Sequence, residues 1–131
     1  MNLLLKQTTV SPSIYKLAEE FADDVRALAI IESGETVIQV GDSGQAFGLL
    51  QMHPAFVKDY SRWTNIAPND TWAQAEVKMT ASYFRINEIH GIELLVQGFN
   101  LGLHAVLTGK RNLEYLTRWQ AALKRIQNPS T

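Results

Sequence analysis

The 131-residue sequence contains no cysteine, which excludes both a disulfide framework and a thiolate metal site. It also has no surplus of either charge, since 12 basic and 13 acidic side chains give a formal charge of −1. A protein that binds many phosphates needs a basic surplus, so nucleic acid is not expected as the main partner. A chain without cysteine can be made in a reducing compartment and work in an oxidising one unchanged.

Long hydrophobic runs are missing as well. No apolar stretch approaches the ~20 residues that cross a bilayer, so we expect no membrane partner. The first residues, MNLLLKQTTVSPS, hold three consecutive leucines without a basic segment before them, which does not fit a signal peptide. We therefore expect synthesis in the cytoplasm, with delivery by another protein if the target lies outside it.

Apolar residues make up 46% of the chain, which predicts one globular domain over residues 1–131. Apolar side chains recur every three or four residues from Ser11-Pro12 to about Ile31, which predicts a first helix ended by Gly34. Strands are expected only between about Glu35 and Met52. Further helices are predicted over residues 54–60, 69–91, 92–98, 104–108 and 112–126. The predicted fold class is α+β, predominantly α, with one small β-hairpin or loop element.

A carboxylate follows the apolar end of the predicted first helix. Leu28, Ile30 and Ile31 lead directly to Glu32, where burial and the negative end of the helix dipole both disfavour a charged side chain. The pKa of Glu32 should therefore be raised. A carboxylic acid still protonated near neutrality is what a glycosidase needs to protonate its leaving oxygen.

Three motifs in this order resemble those of goose-type lysozymes and the related lytic transglycosylases. They are Glu32-Ser33 at a helix end, a glycine-rich segment at 41–51 (GDSGQAFGLLQ), and FNLG at 99–102. The resemblance covers residues 27–106 and implies a lysozyme-like helical domain with the β element beside an active-site groove. It also implies cleavage of the β-1,4 bond between N-acetylmuramic acid and N-acetylglucosamine in peptidoglycan.

By this resemblance Glu32 is the general acid, and Asp42 places the attacking water in an inverting hydrolysis. Candidate substrate-binding residues are Ser33, Phe47, Gln51, His53, Tyr60, Phe99 and Asn100.

The sequence departs from the family pattern at three positions. Many goose-type members have a second aspartate where this chain has His53, the family's tyrosine is Phe99, and Leu50 replaces a methionine. The second catalytic group therefore stays open between Asp42, His53 and Glu35. Asp42 is alternatively a plain turn residue, and Glu35 is more simply an exposed loop carboxylate.

Aromatic residues divide into two groups. Trp72, Tyr83 and Trp119 lie at helical spacing and are predicted to be core residues, whereas Tyr60 and Trp63 are candidates for stacking on sugar rings. Asn100 is either a ligand contact or a left-handed turn residue beside Gly102.

No cofactor is expected, and His90 and His104 have no third ligand in range for zinc. The expected partners are peptidoglycan glycan strands, bound by a monomer. The absence of an export signal suggests a phage endolysin or virion-associated lysin that acts on the cell wall after release by another protein. The alternatives are a lytic transglycosylase, which forms 1,6-anhydro ends, and a non-catalytic glycan-binding or virion component.

Overall fold

A computed structural model describes residues 8–37, 40–41 and 46–129, with residues 40, 41, 46 and 47 described through their backbone only. The described chain is predominantly helical, as predicted. After an N-terminal 3-10 helix (Pro12–Phe21), the elements in chain order are α1 (Ala22–Ser33), β1 (Val40–Gly41), β2 (Ala46–Phe47), α2 (Pro54–Ser61), α3 (Trp72–Ile86), a short 3-10 helix (Glu88–His90), α4 (Ile92–Leu101), α5 (Leu103–Leu107) and α6 (Leu113–Gln127).

The predicted first helix is interrupted, so the prediction of one continuous helix was wrong. Glu19 has φ 54° and ψ −122°, which breaks the chain before α1 begins. The reason is tertiary, because Phe21 stacks on Phe84 of α3 and Arg85 pairs with Glu19 and Glu20.

Helix α1 ends as its sequence predicts. Gly34 has φ 65° and ψ 29°, a left-handed conformation that suits glycine, and its N–H donates to the carbonyl of Ile30 at 3.0 Å. Glu32 is thereby fixed in the last turn of α1.

The two strands are short and pair in antiparallel register, with Val40 opposite Phe47 and Gly41 opposite Ala46. A single bridge also joins Thr9 to Thr36. Asp42, predicted to place the attacking water, lies outside the described residues.

Helix α3 runs through the centre of the core. It begins with a capping box, in which the Thr71 hydroxyl accepts from the N–H of Gln74 and the Gln74 side chain accepts from the N–H of Thr71. Tyr83 is buried, as predicted for a core residue. Trp72 at its start is 40% exposed, so its core assignment was wrong, because the first turn of α3 lies at the surface.

Helix α6 packs against α1 and α4. Asn112 caps it, as predicted, by accepting from the N–H of Tyr115 at 3.0 Å. Trp119 is buried and donates its indole N–H to the carbonyl of Asp24 in α1 at 3.0 Å. The Trp119 contact places the middle of α6 beside the first turn of α1.

Candidate functional site

The Glu32 carboxyl lies in a partly buried position between α1 and α6. Its Oε2 accepts a hydrogen bond of 2.6 Å from the Tyr115 hydroxyl. Burial raises the pKa of Glu32, and the Tyr115 hydrogen bond and the charges of Arg118 and His53 offset part of that rise. The direction predicted from the sequence is confirmed.

Tyr115 is a site residue that the sequence reasoning missed. It is buried, and burial together with the charge of Glu32 raises its pKa, so its hydroxyl stays protonated and serves as a donor. It lies 83 positions from Glu32 in the chain. The available signal was the Asn112 cap followed by an apolar stripe, which places Tyr115 on the inner face of the helix.

Arg118 adds a positive charge on the same side of α6. Its Nη2 donates to the carbonyl of Ile31 at 3.3 Å, in the last turn of α1. A guanidinium near the C-terminal carbonyls of a helix is favourable, because it faces the negative end of the dipole. It also holds α6 against the helix end that carries Glu32.

A cleft of about 380 Å³ opens between α2, α3 and α4. Its aromatic wall is built by Phe56, whose ring lies 4.7 Å from Tyr60, 5.3 Å from Tyr83 and 5.2 Å from Phe99. The sequence-predicted binding residues that line it are Gln51, His53, Tyr60, Phe99 and Asn100.

Glu32 is not among the described residues that line this cleft. Two links join them, one electrostatic and one through hydrogen bonds. His53 lines the cleft, and its charge acts on Glu32. Asn100, also in the cleft, accepts at its Oδ1 from Asn112, and Asn112 in turn caps the helix turn that carries Tyr115. Glu32 is thus linked to the cleft through the charge of His53 and through the first turn of α6.

The polar candidates are held by internal hydrogen bonds. Gln51 adopts a left-handed φ of 51° and donates its side-chain amide to the carbonyl of Gly48 at 3.0 Å. Asn100 is helical, within the last turn of α4, so the left-handed alternative for it was wrong; Gly102, with φ 93°, makes the break instead. A helical Asn100 is oriented by its bond to Asn112, which suits a fixed ligand contact.

Ser33 joins α1 to the turn after β2. Its hydroxyl donates to the carbonyls of Leu49 at 2.6 Å and Ala29 at 3.2 Å, and accepts from the N–H of Thr36. It does not line the cleft formed by the described residues. The side chain of Phe47 and the whole of Asp42 lie outside the described residues.

Glu35 was expected to be an exposed loop carboxylate, and this is wrong. Its side chain is 19% exposed and accepts from Arg26 Nε at 2.9 Å. Burial raises the pKa of the nearby Tyr15, and the charge of Glu35 adds to that rise. An ion-paired carboxylate beside a buried tyrosine has a structural role that its loop position did not indicate.

The two stacking candidates lie in different places. Tyr60 lines the cleft and accepts from the Asn87 side chain at 3.0 Å. Trp63 is 65% exposed and lines another cavity with Lys78 and Arg85. Only Tyr60, of these two, shares the cleft with His53.

No family model, curated protein or solved structure matches this chain. The family resemblance drawn from its motifs therefore stays a prediction. Within the described ranges, no three or more His, Asp or Glu side chains form a group that could hold a metal ion. No helix in that same part of the chain is long and apolar enough to cross a membrane.

Proposed function

We propose that the protein is an N-acetylmuramidase that cleaves peptidoglycan as a monomer, with Glu32 as the general acid. The observation that carries the proposal is the environment of that carboxyl: burial raises its pKa, Tyr115 orients it, and His53, whose charge acts on it, lines a cleft with an aromatic wall. A protonated acid at a groove meets the first requirement of glycoside hydrolysis.

In the proposed reaction Glu32 gives its proton to the glycosidic oxygen as the bond from that oxygen to the anomeric carbon breaks. Water then adds to the anomeric carbon, and a base takes the proton that the water loses. Asp42 is the base implied by the family resemblance, and His53 is the alternative that borders the cleft. Glu35 suits this role poorly, because Arg26 holds its carboxylate.

The cleft suits a glycan with acetamido groups. Aromatic rings such as Tyr60 and Phe99 offer faces on which the apolar side of a sugar ring can stack. Gln51 and Asn100 bring amide groups to the same cleft, and amides pair well with acetamido and hydroxyl groups. A lysin delivered to the cell wall by another protein remains the biological setting we propose.

One observation favours a second candidate, a lytic transglycosylase. His53 lines the cleft at the position where many goose-type members have a second aspartate. A transglycosylase needs no second carboxylate, because the C6 hydroxyl of the sugar attacks the anomeric carbon and leaves a 1,6-anhydro end.

The test compares wild type with Glu32→Gln on a suspension of purified cell walls. Loss of the acid should lower the rate of turbidity loss by about 10²–10⁴-fold while the circular dichroism spectrum is kept. Glu88→Gln, at an exposed position, is the matched control and should clear the walls at the wild-type rate. Full activity of Glu32→Gln would remove Glu32 from the mechanism.

Mass spectrometry of the wild-type digest then identifies the reaction. A reducing muramic acid end supports hydrolysis, whereas a 1,6-anhydro end assigns the transglycosylase. Binding to the walls without any cleavage product would leave a glycan-binding component and overturn both enzymatic proposals.

A further inference from the structure

A second carboxylate, on α3, is buried completely beneath the glycine-rich turn. Glu76 has no solvent exposure. Its two oxygens accept from consecutive backbone amides, Oε1 from Leu49 at 3.0 Å and Oε2 from Leu50 at 2.9 Å. Two amides are therefore satisfied by one side chain from a different element.

Gly48 shows how closely the turn approaches this carboxylate. A Cβ at position 48 would lie 2.4 Å from Glu76 Oε1, and the φ of Gly48 is +91°, so both space and conformation require glycine there. The turn from Gly48 to Gln51 is thus shaped against Glu76.

The same turn is attached to the end of α1. The carbonyl of Leu49 accepts from the Ser33 hydroxyl at 2.6 Å, and Ser33 directly follows Glu32. On its other side the turn continues into Gln51 and His53, which line the cleft. One buried carboxylate therefore holds the segment that connects the proposed acid to the cleft wall.

We propose that Glu76 is a positioning residue, which acts through Leu49 and Leu50 to fix the Glu32 end of α1 against the part of the cleft formed by Gln51 and His53. Its catalytic consequence rests on the proposed function, but its effect on the geometry around Glu32 does not. If Glu76 had only a structural role, its substitution would lower the stability of the protein without changing the surroundings of Glu32.

The test compares Glu76→Gln with Thr80→Val. The glutamine keeps the shape of the side chain but turns an NH₂ group toward one of the two amides, which removes one hydrogen bond to the turn. Thr80 is equally buried one helical turn along α3, where its hydroxyl donates to the Glu76 carbonyl at 2.8 Å and does not contact the turn. Both variants should lower the melting temperature.

The measurement that separates them is a ¹³C-carboxyl NMR titration of Glu32, assigned by the loss of its signal in Glu32→Gln. Glu76→Gln should shift the Glu32 pKa by about half a unit or more and move the amide signals of Ser33 and Leu49, whereas Thr80→Val should leave them at their wild-type positions. A folded Glu76→Gln protein with an unchanged Glu32 titration would overturn the proposal. If Glu76→Gln does not fold, Glu76→Asp, which withdraws the carboxylate by one methylene, takes its place.

The catalytic consequence is measured by the kinetics of wall clearing. Glu76→Gln should lower kcat by about 10–100-fold with little change in KM, because a misplaced acid reacts slowly on substrate that is still bound. A wild-type protein without any cleavage activity would overturn the proposed function, and the titration would then decide the positioning role alone. A kcat loss in Thr80→Val equal to that in Glu76→Gln would assign Glu76 a general structural role.

Discussion

The state of Glu32 is set by opposing effects at one side chain. Burial disfavours its charged form, while the Tyr115 hydroxyl, Arg118 and His53 favour it, and burial is the larger effect. A general acid needs this balance, because a carboxyl stabilised too strongly as an anion would have no proton to give at neutral pH. The three groups that oppose burial are therefore the places where the acid can be tuned.

Tyr115→Phe should raise the pKa of Glu32 above its wild-type value. The variant keeps the ring and removes the 2.6 Å hydrogen bond that favours the carboxylate, so the protonated form gains. A ¹³C-carboxyl titration measures the shift, and in wall clearing the fall in rate at alkaline pH should move to higher pH. Tyr15→Phe, which removes a hydroxyl near Glu35, is the control and should leave Glu32 unchanged. A Glu32 pKa that stays the same or falls in Tyr115→Phe would contradict the tuning role.

These residues show how far sequence reasoning reaches. The raised pKa of Glu32 was predictable, because it depends on the apolar helix turn just before it in the chain. Tyr115 and Glu76 could not be predicted in their roles, since each meets its partner through contacts between segments far apart in the chain. Glu35 was misjudged because the turn at Gly34 brings it back to Arg26, nine positions earlier in α1.

The ends of the helices were predictable where local hydrogen bonds set them and unpredictable where tertiary contacts did. The stop at Gly34 was predicted, and the caps Thr71 and Asn112 lie within two residues of the helix starts predicted at 69 and 112, because each depends on hydrogen bonds within a few residues. The break at Glu19 was not predicted, because its cause is the packing of Phe21 and the pairing of Arg85 with the acidic side chains around it. Local chemistry fixes where helices begin and end, and tertiary contacts decide where they bend.

Thr71→Ala should lower the free energy of unfolding by about 1 kcal/mol, within a range of about 0.5–2 kcal/mol. It removes the acceptor for the Gln74 N–H and half of the capping box of α3, the central helix. Urea denaturation measures the change. Ser11→Ala is the matched control. Ser11 also precedes a helix but makes no capping hydrogen bond to it, so its substitution should lower the free energy of unfolding much less than Thr71→Ala does. Equal losses in the two variants would show that the Thr71 cap does not stabilise the protein.

Across the whole molecule, several carboxyl groups are held in surroundings that favour their protonated form. Burial raises the pKa of Asp24 to about 6 and that of Glu76 to about 7, and it also raises that of Glu32. For the partly buried Asp70 the shift is in the opposite direction, because a hydrogen bond from Lys78 lowers its pKa. Ionisation of Asp24, Glu76 and Glu32 destabilises the fold as pH rises. Protonation of Asp70 destabilises it only in strong acid.

The free energy of unfolding should therefore decrease from about pH 5 to about pH 8. For a carboxyl whose pKa is higher in the folded than in the unfolded state, the stabilisation is complete below the unfolded pKa and is lost as pH rises through the folded one. For Glu76, with an ordinary pKa of 4.5 and a pKa of about 7 in the folded protein, the loss amounts to roughly 3 kcal/mol.

Urea denaturation across this pH range measures how the free energy of unfolding changes with pH in wild type and in Glu76→Gln. The glutamine cannot titrate, so the slope should become shallower in that variant. Glu88→Gln should keep the wild-type slope, because its side chain is exposed. Wild-type stability that increases over this range would mean that the two amides of the turn, rather than burial, determine the charge of Glu76.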